Sequence, residues 1–142
     1  MANMTAYINL TCKYAAEQDV LRAASATLRD ILESAPVASG AGRTVDVKVQ
    51  ELSPGQYTCI PGWHSDTKGD PNAIHHLYVV GENRTEFLEP DGSVNVIPNA
   101  TWKTYGSDLH RGPRVKIGET RLLIRVTESD MVKGNANIIK LG

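Results

Sequence analysis

Cysteine is nearly missing from this chain of 142 residues; Cys12 and Cys59 are its two thiols. Two scattered cysteines exclude a disulfide framework and a cysteine-rich zinc cluster. An excess of one charge is missing too. Fifteen Lys and Arg stand against sixteen Asp and Glu, for a net charge of −1 and a pI near 6.4. Such a balance gives no general attraction to nucleic acid, although a local basic cleft is compatible with it. No apolar run is long enough to span a membrane. The first residues, Met1 to Tyr7, lack the basic-then-apolar order of a secretory signal. Asn-x-Ser/Thr matches at Asn9, Asn83 and Asn99 therefore read as chance, and a reduced, cytoplasmic setting is expected. There is no internal repeat and no low-complexity tract.

What is present is an ordinary globular composition, 41% apolar and 22% charged. The length suits one domain, residues 1–142, with a sizeable core. Residues 15–34 read as a single amphipathic helix. Leu21, Ala24, Leu28 and Ile31 or Leu32 recur at helical spacing, with Glu17, Arg22, Arg29 and Asp30 mostly off that stripe. The connection Val37-Ala-Ser-Gly-Ala-Gly42 breaks the helical pattern.

From Thr44 the texture changes to short alternating runs. Strands are expected over 44–53, 56–60, 74–80, 84–89, 93–97, 102–105, 108–112 and 119–127, with a further one near 138–141. Ser53-Pro-Gly55, residues 67–72, Pro90-Asp91-Gly92 and Pro98-Asn99 supply the turns. In the run 119–127, Leu122, Ile124 and Val126 share one face, and Arg121, Leu123 and Arg125 share the other. About eight closely spaced strands after one helix predict a mainly β chain. The expected architecture is an antiparallel barrel or sandwich, with a jelly roll leading, whose core spans 44–130 and against which the N-terminal helix packs.

Within that pattern, Trp63-His64-Ser65-Asp66 carries chemistry. His64 and Asp66 stand at i and i+2, on one face if the segment is extended. His110 follows 44 residues after Asp66, and Arg121 lies 11 residues beyond His110. Two imidazoles and a carboxylate on one side of a divalent ion leave the other side open, an arrangement suited to non-haem Fe(II). Alone, His64 and Asp66 read more simply as a surface pair, and His110 as a structural histidine. Their order, with a basic residue behind them, favours a metal site.

Residues 57–129 resemble the core of the Fe(II)/2-oxoglutarate-dependent dioxygenases, in particular the prolyl 4-hydroxylase-like branch. His64-Ser65-Asp66 is similar to the proximal motif of that family. Leu109-His110-Arg111-Gly112, followed by Val115, Gly118 and Arg121, is similar to its distal segment. Arg84-Thr85-Glu86-Phe87 resembles the strand that often carries Thr-x-Phe. The resemblance covers about half of the chain and implies a double-stranded β-helix of jelly-roll or cupin-like type. It implies Fe(II) held by His64, Asp66 and His110, with 2-oxoglutarate as co-substrate. The far carboxylate of that acid would fall to Arg121, with Tyr78 as a further hydrogen-bond donor. The chain is shorter than is usual for the family. That implies a shallow substrate site or one completed across a homo-oligomer interface.

Several readings compete around this core. Arg125 shares a face with Arg121 and competes for the acid, while spacing from His110 across the turn at Lys116-Ile117-Gly118 favours Arg121. Arg111 and Arg114 are expected to be solvated. His75 and His76 are adjacent in a strand, so they cannot both line one site, and at least one is expected to be exposed. Trp63 and Trp102 suit either core or substrate contact. A cupin-type metalloenzyme without 2-oxoglutarate is disfavoured by the missing His-x-His pair. A non-catalytic jelly-roll binding or structural module is the remaining alternative. For the substrate, a peptide side chain, a nucleobase and a small metabolite are all compatible with the charge pattern.

Overall fold

The computed structural model describes residues 7–66 and 69–141. Six of the residues read above for a targeting signal, and Thr67 and Lys68 of the expected loop 67–72, lie outside this range. The elements run β1 (Leu10–Ala16), α1 (Glu17–Ala23), α2 (Ala26–Glu33), β2 (Arg43–Leu52), β3 (Ile74–Val80), β4 (Glu86–Leu88), β5 (Val94–Val96), β6 (Lys103–Tyr105), β7 (His110–Arg111), β8 (Glu119–Glu128) and β9 (Ile138–Lys140). The protein is mainly β, as expected.

The single helix expected over 15–34 is two short helices preceded by a strand. Ala24 leaves α1 in an extended conformation, and the Ser25 hydroxyl then caps α2 by accepting from the Leu28 N–H. The apolar stripe continues across the break, which is why periodicity alone reads as one helix. β1 was hidden by a bulge. Its register against β2 shifts between Cys12 and Ala15, where Tyr14 takes a φ of +50°, so its side chains do not alternate cleanly.

Two antiparallel sheets form the frame. One has the order β6-β3-β8-β2-β1-β9 and the other β5-β4-β7. Residues 56–60, expected as a strand, form no named strand. Instead, isolated bridges Tyr57↔Arg114 and His64↔His110 tie the segment 57–64 to the far edge of β7 and its continuation. Gly112 is needed there. A β-carbon at that position would fall 2.8 Å from both the Cβ and the backbone N of Cys59 and would press on the Thr58 hydroxyl.

The six-stranded sheet separates two apolar layers. Leu122, Ile124 and Val126 of β8, with Val45 and Val47 of β2 and Leu10 of β1, pack under Val20, Leu28 and Leu32 of the helices. On the opposite face Leu77, Val79 and Tyr105 meet Phe87 and Ile97 from the side of the smaller sheet. Each large aliphatic chain so buried contributes about 1.5–3 kcal/mol. The alternation expected for residues 121–126 therefore holds: the even positions face the helices, and the odd positions face the space between the sheets.

Candidate metal centre

That inter-sheet space gathers four of the five residues expected to form a site, His64, Asp66, His110 and Arg121. His64 and Asp66 arrive on the segment that bridges to β7, and His110 sits on β7 itself. Backbone bonds His64 N–H to His110 O (3.0 Å) and His110 N–H to His64 O (2.8 Å) lock the two histidines side by side. Their ring centroids are 4.5 Å apart. One ligand atom from each of His64, Asp66 and His110 lies within 4.8 Å of the others.

Hydrogen bonds fix which nitrogens are available. The Nδ1 of His64 lies 2.9 Å from the carbonyl of Gly62, and the Nδ1 of His110 lies 3.0 Å from the carbonyl of Asp108. A carbonyl only accepts, so each Nδ1 carries a proton, and Nε2 is the ring nitrogen left to face a metal. This is the outer-shell arrangement that orients metal-binding imidazoles.

Asp66 is held on every side but one. Its Oδ2 accepts from the Tyr105 hydroxyl (2.8 Å) and from Nη1 of Arg125 (2.8 Å), and lies 3.2 Å from Nε2 of His110. Its backbone carbonyl accepts from Nε2 of His75 at 2.6 Å. Among the described residues nothing bonds to Oδ1. Burial alone would raise the pKa of Asp66. The His110 ring, the Arg125 guanidinium and the Tyr105 hydroxyl outweigh it and hold the carboxyl well below the usual range. The group is therefore an anion with one oxygen free, as a ligand requires.

His75 and His76 depart from expectation, because both are buried. His75 spans the Asp66 carbonyl and the Thr127 hydroxyl (3.1 Å), and burial lowers its pKa. His76 points to the other face, between Thr104 (2.7 Å) and the carboxylate of Glu128. Adjacent strand residues do face opposite ways; each simply has its own buried partner.

The two arginines of β8 both line the cavity of about 70 Å³ that opens beside His64, Asp66 and His110. That space holds on the order of five waters. Their surroundings differ. Arg125 is neutralised: Nε and Nη2 meet Asp46 at 3.1 and 3.0 Å, Nη1 meets Asp66, and Nη2 also reaches the Tyr14 hydroxyl at 3.2 Å. Arg121 is 1% exposed and has no ion-pair partner among the described residues. Its Nε and Nη2 donate to the Gln50 amide oxygen (3.1 and 2.6 Å), and its Nη1 donates to the Asn83 carbonyl (2.9 Å). Burial pulls its pKa below the usual guanidinium value. Its strand pairs with β2 and β3, not with the His110 strand. The expected register, with Arg121 level with His110 across one turn, is therefore replaced by a facing position on the opposite sheet.

Tyr78 is not brought to this cavity. It packs on Trp102, ring centroids 5.1 Å apart, on the helix-covered side of the sheet. Counting places it one residue from Leu77, whose side chain does line the cavity, so the period of two sends Tyr78 away. Trp102 is accordingly a packing residue, its Nε1 donating to the Ser34 hydroxyl at 3.0 Å. Trp63 carries the guanidinium of Arg111 over its ring, 4.2 Å from the centroid, and Arg111 also pairs with Glu86 at 2.7 Å, so Arg111 is engaged rather than solvated. Arg114 is exposed, as expected.

Sequence reasoning missed the group formed by Asp46, Arg125, Tyr105 and His75. One signal was legible. Asp46 sits between Val45 and Val47 in an apolar strand, and a carboxylate buried there needs a cation. No protein-family model matches this chain, and no curated protein matches it.

Proposed function

We propose that the protein is a small Fe(II)- and 2-oxoglutarate-dependent oxygenase built on a double-stranded β-helix. The observation that carries the reading is a pair of features in one cavity: a His64–Asp66–His110 ligand group and a buried guanidinium, Arg121, with no ion-pair partner among the described residues. The topology is consistent with it, since β6-β3-β8-β2 faces β5-β4-β7 and the bridging segment 57–64.

Two neutral imidazoles and one carboxylate fit a divalent first-row metal and leave positions free. Bound Fe(II) with O₂ supplies the oxidising chemistry, in which 2-oxoglutarate becomes succinate and CO₂ while a substrate C–H becomes C–OH. The residues of the chain bind and orient. His64 and His110 offer Nε2 lone pairs held by their Nδ1–H bonds. Tyr105 and Arg125 set the rotamer of Asp66, and His75 holds its backbone carbonyl, before any metal arrives, so little ordering remains on binding. Arg121 receives the far carboxylate of the oxo acid. Gln50 occupies the guanidinium with a neutral amide oxygen, and a carboxylate makes a stronger, charge-assisted bidentate pair in the same place. Leu77 and Leu123 wall the cavity and keep water from the reacting groups.

The test is formation of succinate from 2-oxoglutarate in the presence of Fe(II) and O₂, alongside Mn(II) and 2-oxoglutarate titrations. Succinate that disappears in His64→Ala and in Arg121→Ala supports the reading. Tight metal binding without any 2-oxoglutarate binding points instead to a metalloenzyme of another type. Absence of both leaves a β module with no such chemistry.

A further inference from the structure

A second, larger depression of about 640 Å³ runs along β1, β2 and β9 and shares Lys48 with the metal cavity. Small-molecule sites usually fall within ~300–1,000 Å³. Three independent observations concern it. First, none of the described residues lining it is acidic, and two lysines, Lys13 and Lys48, stand exposed in it with no ion-pair partner among the described residues. Second, Gln50, which lines it, is the side chain that holds Arg121. Third, its wall contains Tyr14, a non-glycine residue held at a φ of +50° in the β1 bulge. Such a backbone is strained and persists only where the surroundings enforce it. Here the Tyr14 N–H donates to Oδ1 of Asp46 at 3.1 Å, and its hydroxyl accepts from Arg125, the residue that grips Asp66. A ligand in the groove therefore lies against the same hydrogen-bonded group that positions the metal carboxylate.

We infer that this groove is the substrate site of the proposed oxygenase and that it takes a small organic anion, bearing a phosphate or carboxylate that Lys13 and Lys48 recognise. Its charged group lies between Lys13 and Lys48, and its reacting end extends past Lys48, which lines both cavities, toward the metal group. Tyr14 is a positioning residue in this scheme, fixing the groove wall relative to Arg125.

The experiment follows backbone amide NMR signals of the full chain during titration with pyrophosphate and, separately, with citrate. It uses no metal, so it succeeds or fails independently of the oxygenase reading, which stands or falls on metal binding by His64→Ala and Asp66→Ala. The expected result is saturable shifts confined to β1, β2 and β9, with affinity reduced at least tenfold in Lys48→Glu and in Lys13→Glu and unchanged in Lys140→Glu. Whichever of the two anions binds more tightly identifies the preferred charged group. Shifts that ignore both charge reversals, or that spread over the whole surface, overturn the inference. A ten-nucleotide single strand that binds the groove more than tenfold tighter than either anion overturns the assignment to a small molecule.

Discussion

The two faces of the six-stranded sheet are built from alternate residues of the same strands, yet they do different work. On β8, Leu122, Ile124 and Val126 are closed over by the helices, while Arg121 and Arg125 look into the cavity between the sheets. On β2, Val45 and Val47 join the first set, and Asp46 and Lys48 the second. The helix-covered face is apolar and holds the sheet together. The cavity face carries buried charge, which is costly unless paired. Alternation with a period of two lets one strand serve both ends, because a side chain on one face can change without touching the other. A functional site of this kind needs an apolar layer behind it to offset the cost of its charges.

The largest effects should come from unpairing those charges. Arg125→Ala leaves Asp46, which is 1% exposed, without its cation and should cost about 3–5 kcal/mol of stability in urea denaturation. Arg121→Ala should instead weaken 2-oxoglutarate binding to the metal-loaded protein by about 2–5 kcal/mol while leaving metal affinity largely intact. Arg125→Ala should change acid binding far less. Titrating the acid and following the charge-transfer absorbance separates the two, and the reverse outcome would assign the acid to Arg125.

On the helix-covered face, Ile124→Ala opens a cavity in a fully buried position and should cost about 3–4 kcal/mol. Metal affinity, measured on the fraction still folded, should not move. If it did, the two faces would be coupled rather than independent.

A smaller, pH-dependent effect lies at the end of β8. Burial alone would raise the pKa of Glu128. Hydrogen bonds from His76 and from Ser39 and Ala38 prevail and bring it down to about 2 from an ordinary 4.5. A lowered carboxyl pKa stabilises the fold above the unfolded value and loses that contribution as pH falls toward the folded one. Tm should therefore drop between pH 4.5 and 2, and Glu128→Gln, less stable at neutral pH, should flatten that part of the curve. The smallest effect is expected at Tyr78. Tyr78→Phe keeps the contact with Trp102 and should change neither 2-oxoglutarate affinity nor stability by more than about 0.5 kcal/mol.

Much of this division was legible in the chain. The alternation of residues 121–126 separated the two faces correctly, and the strand expected over 74–80 is β3 as observed. His64, Asp66 and His110 were brought into one expected group, and the fold gathers their ligand atoms. What failed involved partners distant in sequence or a broken period. Ser25 divides a helical stripe whose apolar spacing runs on undisturbed. The Tyr14 bulge disguised β1. Arg121 was placed by counting from His110, but pairing with β2 puts it on the facing sheet. Arg125 reaches Asp46 across 79 residues and Asp66 across 59, links that no local spacing encodes.

The central claim is that His64, Asp66 and His110 together hold a divalent metal, and calorimetric titration of Mn(II) into the protein and its three single alanine variants tests it most directly. The account predicts one site per chain in the parent protein and an affinity at least ~100-fold weaker in each variant, with folding preserved by circular dichroism. Stoichiometric binding that survives unchanged in all three variants, or no binding by the parent protein, would contradict it.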